Sequence, residues 1–155
     1  MEHLQQMVRE VMSRPARTVA PEMTLGDLLR LFSSNDFEAY PVVRGETLVG
    51  IVSRADSIKP FVTKAVSRAL EADAIMGTTV EQIMSSQIAT VELDATLGQA
   101  IDAMSVHDFE SFPVVDRENR VKGIIARDDV VRALARCTWR TSLPLDLRPA
   151  GYAIA

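Results

Sequence analysis

Sliding the chain along itself by 72 positions lays residues 8–43 over residues 80–115, and 15 of the 36 aligned pairs are identical. One further residue of offset then aligns Gly50 with Gly123 and Asp56 with Asp129. The phrase "GIVSRAD" (50–56) thus returns as "GIIARDD" (123–129). Self-similarity at a fixed offset constrains the fold more than any single motif, because both copies must adopt the same supersecondary unit. Two copies make a tandem pair, not a solenoid.

Each copy has the same internal order. "ARTVAP" and "IATVEL" read as short apolar lead-in strands. Thr24 then opens a helix whose apolar residues Leu25, Leu28, Leu29 and Phe32 fall on one face. In the second copy Thr96 and Gln99 form a capping box ahead of Leu97, Ala100, Ile101 and Met104. "YPVVR" and "LVGIV" flank a turn containing Gly45, while "FPVVD" and "VKGII" flank "RENR"; both pairs read as β-hairpins. A second helix follows each hairpin, starting near Ser53 or Ala126. The unit is therefore β-α-β-β-α and the chain a mixed α+β protein. One copy alone leaves a sheet face uncovered, which packing two copies together resolves.

The expected boundaries are 8–60 for the first repeat, 61–79 for a partly helical linker, 80–136 for the second repeat and 137–155 for a tail. Pro60 is expected to break or restart the helix. Val62, Val66, Ala69 and Leu70 offer one helical face, and Gly77 fits a helix stop. The tail carries Pro144, Pro149 and Gly151 and reads as irregular; its Leu145, Leu147, Tyr152 and Ile154 either pack on a neighbour or stay loose.

Composition narrows the function. Hydrophobic residues make up 47% and charged residues 25% of the chain, ordinary globular values. The formal charge of −4, with both signs interspersed, argues against a nucleic-acid partner, which usually requires a basic face. The lone Cys137 excludes an intrachain disulfide and suits a reducing compartment. The opening "MEHLQQMVREVM" has no apolar core of a secretory signal, and no run approaches a membrane span. The expectation is a soluble, cytoplasmic protein. His3, His107 and Cys137 show no metal-ligand spacing, and nucleophile elbow, Walker loop and dinucleotide fingerprint are all missing. Asp36/Glu38 in "SNDFE" and Asp108/Glu110 in "VHDFE" can be read as acid–base pairs, but their repetition before a strand favours a turn or capping role. No catalytic machinery is expected.

The order "VMS…TV", "TLGDL", "YPVV", "GIVSRAD", repeated as "IMS…TV", "FPVV", "GIIARDD", resembles the cystathionine-β-synthase-type regulatory domain, the CBS domain. The resemblance covers about residues 8–136, and two tandem copies form a Bateman module. It implies an intertwined pair with two clefts related by a pseudo-two-fold axis and pairing into a homodimer. Its ligands would be AMP, ADP or ATP, with NAD or S-adenosylmethionine as alternatives, and no cofactor is required.

In that family the repeated phrase holds the ligand, its Asp accepting from ribose hydroxyls and its Ser or Thr facing phosphate at a helix N-terminus. Orphan N–H groups and the helix dipole favour an anion there. The resemblance implies that Ser53, Arg54 and Asp56 face Thr90, Ser111, Phe112 and Pro113. Arg127 and Asp129 would face Thr18, Ala39, Tyr40 and Pro41 in the second cleft. A ligand-free alternative stays open, since Ser53-x-x-Asp56 is also an N-cap with an acidic third residue. Against capping alone, Asp129 persists although Ala126 has lost the hydroxyl. Arg54 and Arg127 also sit in a first turn, where positive charge opposes the dipole. A bound phosphate would offset that charge, as would a surface carboxylate. Tyr40 and Phe112 equally suit core packing, and Thr18 and Thr90 ordinary strand positions.

The leading expectation is a stand-alone regulatory pair that senses an adenosyl ligand and signals to an effector in trans by thermodynamic linkage. The alternative is a dimerisation or interaction module with empty clefts. A small nucleotide-acting enzyme is the least favoured.

Overall fold

The computed structural model describes residues 2–63 and 69–136. Cys137, Val66 and the tail from 137 onward fall outside the described residues, while Val62 is exposed on its helix. After a 3-10 turn at Glu2–Gln5, the chain forms α1 (Val8–Val11), α2 (Leu25–Ser33), β1 (Ala39–Arg44), β2 (Thr47–Ser53) and α3 (Arg54–Thr63). Next come α4 (Ala69–Met76), α5 (Val80–Ile83), β3 (Val91–Glu92), α6 (Leu97–Val106), β4 (Ser111–Val115), β5 (Val121–Ala126) and α7 (Arg127–Arg136). The class is mixed α+β with two small sheets.

Local chemistry sets these elements where the spacing predicts them. The Thr24 hydroxyl accepts the Asp27 N–H at 3.2 Å and starts α2, which buries Leu25, Leu28 and Phe32. The Thr96–Gln99 capping box starts α6 in the same way. Gly45 turns the first hairpin with φ of 67°, a conformation that favours glycine. In the second hairpin Asn119 takes that role with φ of 60°. The lead-in strand forms fully only in the second copy, where β3 runs parallel to β4. In the first copy it shrinks to one bridge between Val19 and Val42. Both hairpins are antiparallel and bulge at equivalent places, Val42/Val43 and Val114/Val115.

Pro60 does not break its helix. It lies inside α3, which runs on to Thr63, and Phe61 packs against the first repeat's core. That packing outweighs the missing N–H near the helix end. Gly77 does close α4, its N–H donating to the Asp73 carbonyl at 3.0 Å.

The two repeats are intertwined. Val8 and Met12 of the leading segment sit in the core of the second repeat with Leu97, Phe112 and Ile125. Val80 sits reciprocally in the core of the first with Leu25, Tyr40 and Val52. Backbone bonds follow the exchange. The Leu97 N–H donates to Gln6 and the Leu25 N–H to Thr78, both at 2.7 Å. Ser13 exchanges two bonds with Ile124, and Ser85 two with Ile51. The hairpin turns meet where Leu48 donates to Asn119 and Val121 to Glu46, each at 3.0 Å. Each copy thus contributes the segment that completes the other.

Candidate functional site

The exchange creates two clefts in which the end of one repeat's hairpin faces the leading segment of the other. Gly50 and Gly123 make this crossing possible. A Cβ at Gly50 would overlap the Met84 sulfur, and one at Gly123 would stand 2.6 Å from the Met12 sulfur and 2.8 Å from the Ser13 carbonyl oxygen. The conserved spacing of Gly within the repeated phrase is therefore a packing requirement.

The first cleft encloses about 360 Å3. Ser53 and Asp56 stand on one side, Ser85, Gln87, Ile88 and Ala89 on another, and Asp108 through Ser111 on a third. Ile51, Ala55, Ile88, Ala89 and Phe109 supply an apolar lining. The Asp56 carboxylate is held firmly. Its Oδ2 accepts the Ser53 N–H and hydroxyl, each at 2.9 Å, and the Asp56 N–H returns to the Ser53 hydroxyl at 3.1 Å. Lys59 donates to Oδ1 at 2.6 Å. Burial pushes the Asp56 carboxyl up, but the hydrogen bonds from Lys59 and Ser53 outweigh it and hold the carboxyl below its ordinary value.

The second cleft, about 580 Å3, lies between Ala126–Asp129 and the segment Ser13–Arg17, with Asp36 through Ala39 as a further wall. Asp129 keeps the geometry of Asp56 although Ala126 has no hydroxyl. The Ala126 N–H donates to Oδ2 at 2.9 Å, the Ser13 hydroxyl to Oδ1 at 3.3 Å, and Arg132 to Oδ1 at 2.6 Å. The carboxylate half of the cap thus forms in both copies, and the hydroxyl half only at Ser53. The clefts meet on the pseudo-two-fold axis, since Glu38, Ala39, Glu110 and Ser111 line both.

The expected site residues divide between cleft and core. Ser53, Asp56 and Ser111 come together in the first cleft, and Ala39, Arg127 and Asp129 in the second. Thr90 and Thr18 are exposed and line neither. Phe112 and Pro113, like Tyr40 and Pro41, are buried in the hairpins. Tyr40 packs against Phe32 with centroids 5.0 Å apart, and its buried hydroxyl has no hydrogen-bond partner among the described residues. Arg54 turns away from the cleft. Its guanidinium donates to the carbonyls of Phe32, Asn35 and Phe37 at the C-terminal end of α2 and lies 5.1 Å over the Phe32 ring. Its first-turn charge is thereby matched by the negative end of another helix. Arg127 pairs with Asp108 at 3.1 Å.

Sequence reasoning missed the aromatic walls. Phe109 is 51% exposed and Phe37 42%, each at the mouth of a cleft. Their signal was the repeated "DFE", an apolar ring held in an otherwise acidic turn.

A family model for the CBS domain matches residues 8–56 and 80–136. The chain is 27% identical to protein MJ1426 of Methanocaldococcus jannaschii, covering 83% of this chain and 90% of the relative. Among solved structures, MJ1225 of the same organism superposes with a TM-score of 0.75 at 27% identity, covering 84% of this chain and 48% of that one. CBSX2 of Arabidopsis thaliana, solved in complex with AMP, gives 0.71 at 26% identity, covering 84% and 96%. The chain therefore spans nearly the whole of some relatives and about half of others. With both halves matched and the intertwined architecture shared, the chain belongs to the CBS-domain family as a tandem pair.

Proposed function

We propose that this chain is a regulatory module that binds an adenine nucleotide or a related adenosyl ligand in a cleft between its repeats and transmits occupancy to a partner. The carrying observation is the first cleft itself. It sets a fixed carboxylate, Asp56, opposite an apolar wall of Ile88, Ala89 and Phe109, the pairing a ribose diol and a purine ring need. Ser111 and the polar edge of the Ser85–Ala89 segment line the same cleft and on this reading contact the base. The AMP complex of CBSX2 supports the ligand class. Because each cleft is built from both repeats, a ligand there favours one relative arrangement of the halves, and linkage carries that preference outward.

A second reading, an interaction module with unfilled clefts, draws on two observations. Asp56 already satisfies both oxygens within the chain. Ile58, Val62 and Val131 are more than half exposed on α3 and α7, an apolar surface suited to pairing two copies.

A thermal-shift panel separates the readings. AMP, ADP, ATP, NAD and S-adenosylmethionine are added to wild type, Asp56→Ala and Asp129→Ala. A ligand at about 100 times its Kd contributes about 2.7 kcal/mol, or about 5–11 °C for a chain of this size. A shift with one of them that disappears in an aspartate variant supports the sensor. No shift with any of them leaves the interaction module.

A further inference from the structure

We infer that the two clefts sort adenosyl ligands by charge: the Ser53–Asp56 cleft takes uncharged or cationic ones, and the arginine-lined cleft takes those that carry a phosphate. This rests on the ligand-binding reading above and goes beyond it by dividing the ligands between sites.

The pseudo-symmetry makes the comparison direct. Shifting by 72 positions places Arg14 over Ser86 and Arg17 over Ala89. Equivalent backbone positions on the two leading segments thus carry guanidinium groups in one copy and small neutral side chains in the other, of which Ala89 lines the first cleft. Arg14, Arg17, Arg127 and Arg132 all line the second cleft. Arg132 and Arg127 are committed to Asp129 and Asp108. Arg17 is held by a neutral partner, the Asn35 side chain at 2.9 Å, and lies 5.7 Å over the Phe37 ring. Arg14 has no ion pair among the described residues. Two guanidiniums without a carboxylate partner among the described residues therefore line this cleft, Arg17 over an aromatic ring, although Asp36, Asp128 and Asp129 line it too.

The first cleft has the opposite character. Glu38, Asp56, Asp108 and Glu110 line it, and among the described residues no Lys or Arg does. Arg54, which could have supplied a cation, spends its donors on the carbonyls of Phe32, Asn35 and Phe37 and stands 3.7 Å from the Glu38 carboxylate. The cations near it are already paired with its carboxylates, Lys59 with Asp56 at 2.6 Å, Arg127 with Asp108 at 3.1 Å and Arg54 with Glu38. A phosphate there would therefore meet carboxylates and no uncommitted guanidinium, whereas a nucleoside or a sulfonium would not be repelled. Glu38 and Glu110 line both clefts, so they do not distinguish them. The arginines do, and their planar forks suit phosphate oxygens.

The test is calorimetric titration of the full chain with AMP and with adenosine, on wild type, an Arg14→Ala/Arg17→Ala double variant and Asp56→Ala. Both arginines are exposed, and the melting temperature checks that each variant is folded. The double variant is expected to lose AMP affinity by on the order of tenfold while keeping adenosine. Asp56→Ala is expected to lose adenosine while keeping AMP, and added salt to weaken AMP alone. AMP binding lost in Asp56→Ala but retained in the arginine variant overturns the sorting and leaves the adenosyl reading standing. Failure of both compounds to bind wild type overturns the two together.

Discussion

The hydroxyl of Ser13 donates to the carboxylate of Asp129 at 3.3 Å, across 116 positions of sequence. In the first repeat the equivalent bond is local, from Ser53 to Asp56 at 2.9 Å. The cap hydroxyl lost at Ala126 is thus supplied in part by the other repeat's leading segment. Ser53→Ala is expected to lower stability by about 1 kcal/mol, the usual value of an N-cap. Ser13→Ala should cost less, about 0.5 kcal/mol, because the bond is longer. Urea denaturation midpoints measure both. An unchanged midpoint in Ser13→Ala would mean that Asp129 is held by Ala126 and Arg132 alone.

The glycines of the repeated phrase differ in what surrounds them. Around Gly50 the obstruction is Met84, a flexible side chain, whereas Gly123 also faces the Ser13 backbone oxygen. Gly123→Ala should therefore destabilise more than Gly50→Ala, by about 1–3 kcal/mol against about 1 kcal/mol or less. Adding Met84→Ala should relieve Gly50→Ala in a double-mutant cycle. Equal costs at the two glycines, or no coupling to Met84, would contradict this packing.

Asp56 makes stability depend on pH in a defined direction. Its carboxyl is held below the ordinary 3.8, so the folded state binds the proton less readily than the unfolded chain. The stabilisation is fully present above about 3.8 and is lost as pH falls through the lower, folded value. In chemical denaturation, the stability gap between wild type and Asp56→Asn should be constant near neutrality and close as the solution is acidified below that point. A gap that stays constant through the acid range would show that Asp56 carries no such linkage.

Tyr40 offers a stabilising change. Its hydroxyl is buried without a partner among the described residues, a cost in stability, and the equivalent residue in the second repeat is Phe112. Tyr40→Phe should raise stability by about 1 kcal/mol. A loss of similar size in thermal denaturation would reveal a use for the hydroxyl.

The sequence and the structure agree where chemistry is local. The Thr24 and Thr96 caps, the hairpin turns at Gly45 and Asn119, and the Ser53–Asp56 pairing each involve residues a few positions apart, so propensity and side-chain reach determine them. Expectations drifted where a contact depends on how the copies interlock. Ser85–Ala89 and Ser13–Arg17 wall the clefts, yet in sequence they read as lead-in segments. Thr18 and Thr90, just beyond those walls, point to solvent. The shared "MS" of Met12–Ser13 and Met84–Ser85 was the available signal, since both pairs make the crossing contacts. Arg54 was misleading for a related reason: besides Glu38 at 3.7 Å, its partners are the carbonyls of Phe32, Asn35 and Phe37, and backbone acceptors leave no mark in sequence. Pro60 stays helical because Phe61 has a core to pack against, a tertiary effect that overrides local preference.

The most direct test of a ligand cleft shared by the two repeats is a nuclear magnetic resonance titration of the labelled chain with adenosine and with AMP, following backbone amides. The account predicts saturable shifts in both repeats at once: at Ser53–Asp56 with Ser85–Ala89 and Asp108–Ser111 for adenosine, and at Ser13–Arg17 with Ala126–Asp129 for AMP. Shifts confined to one repeat, or amides that stay in place through saturating additions of both compounds, would contradict it.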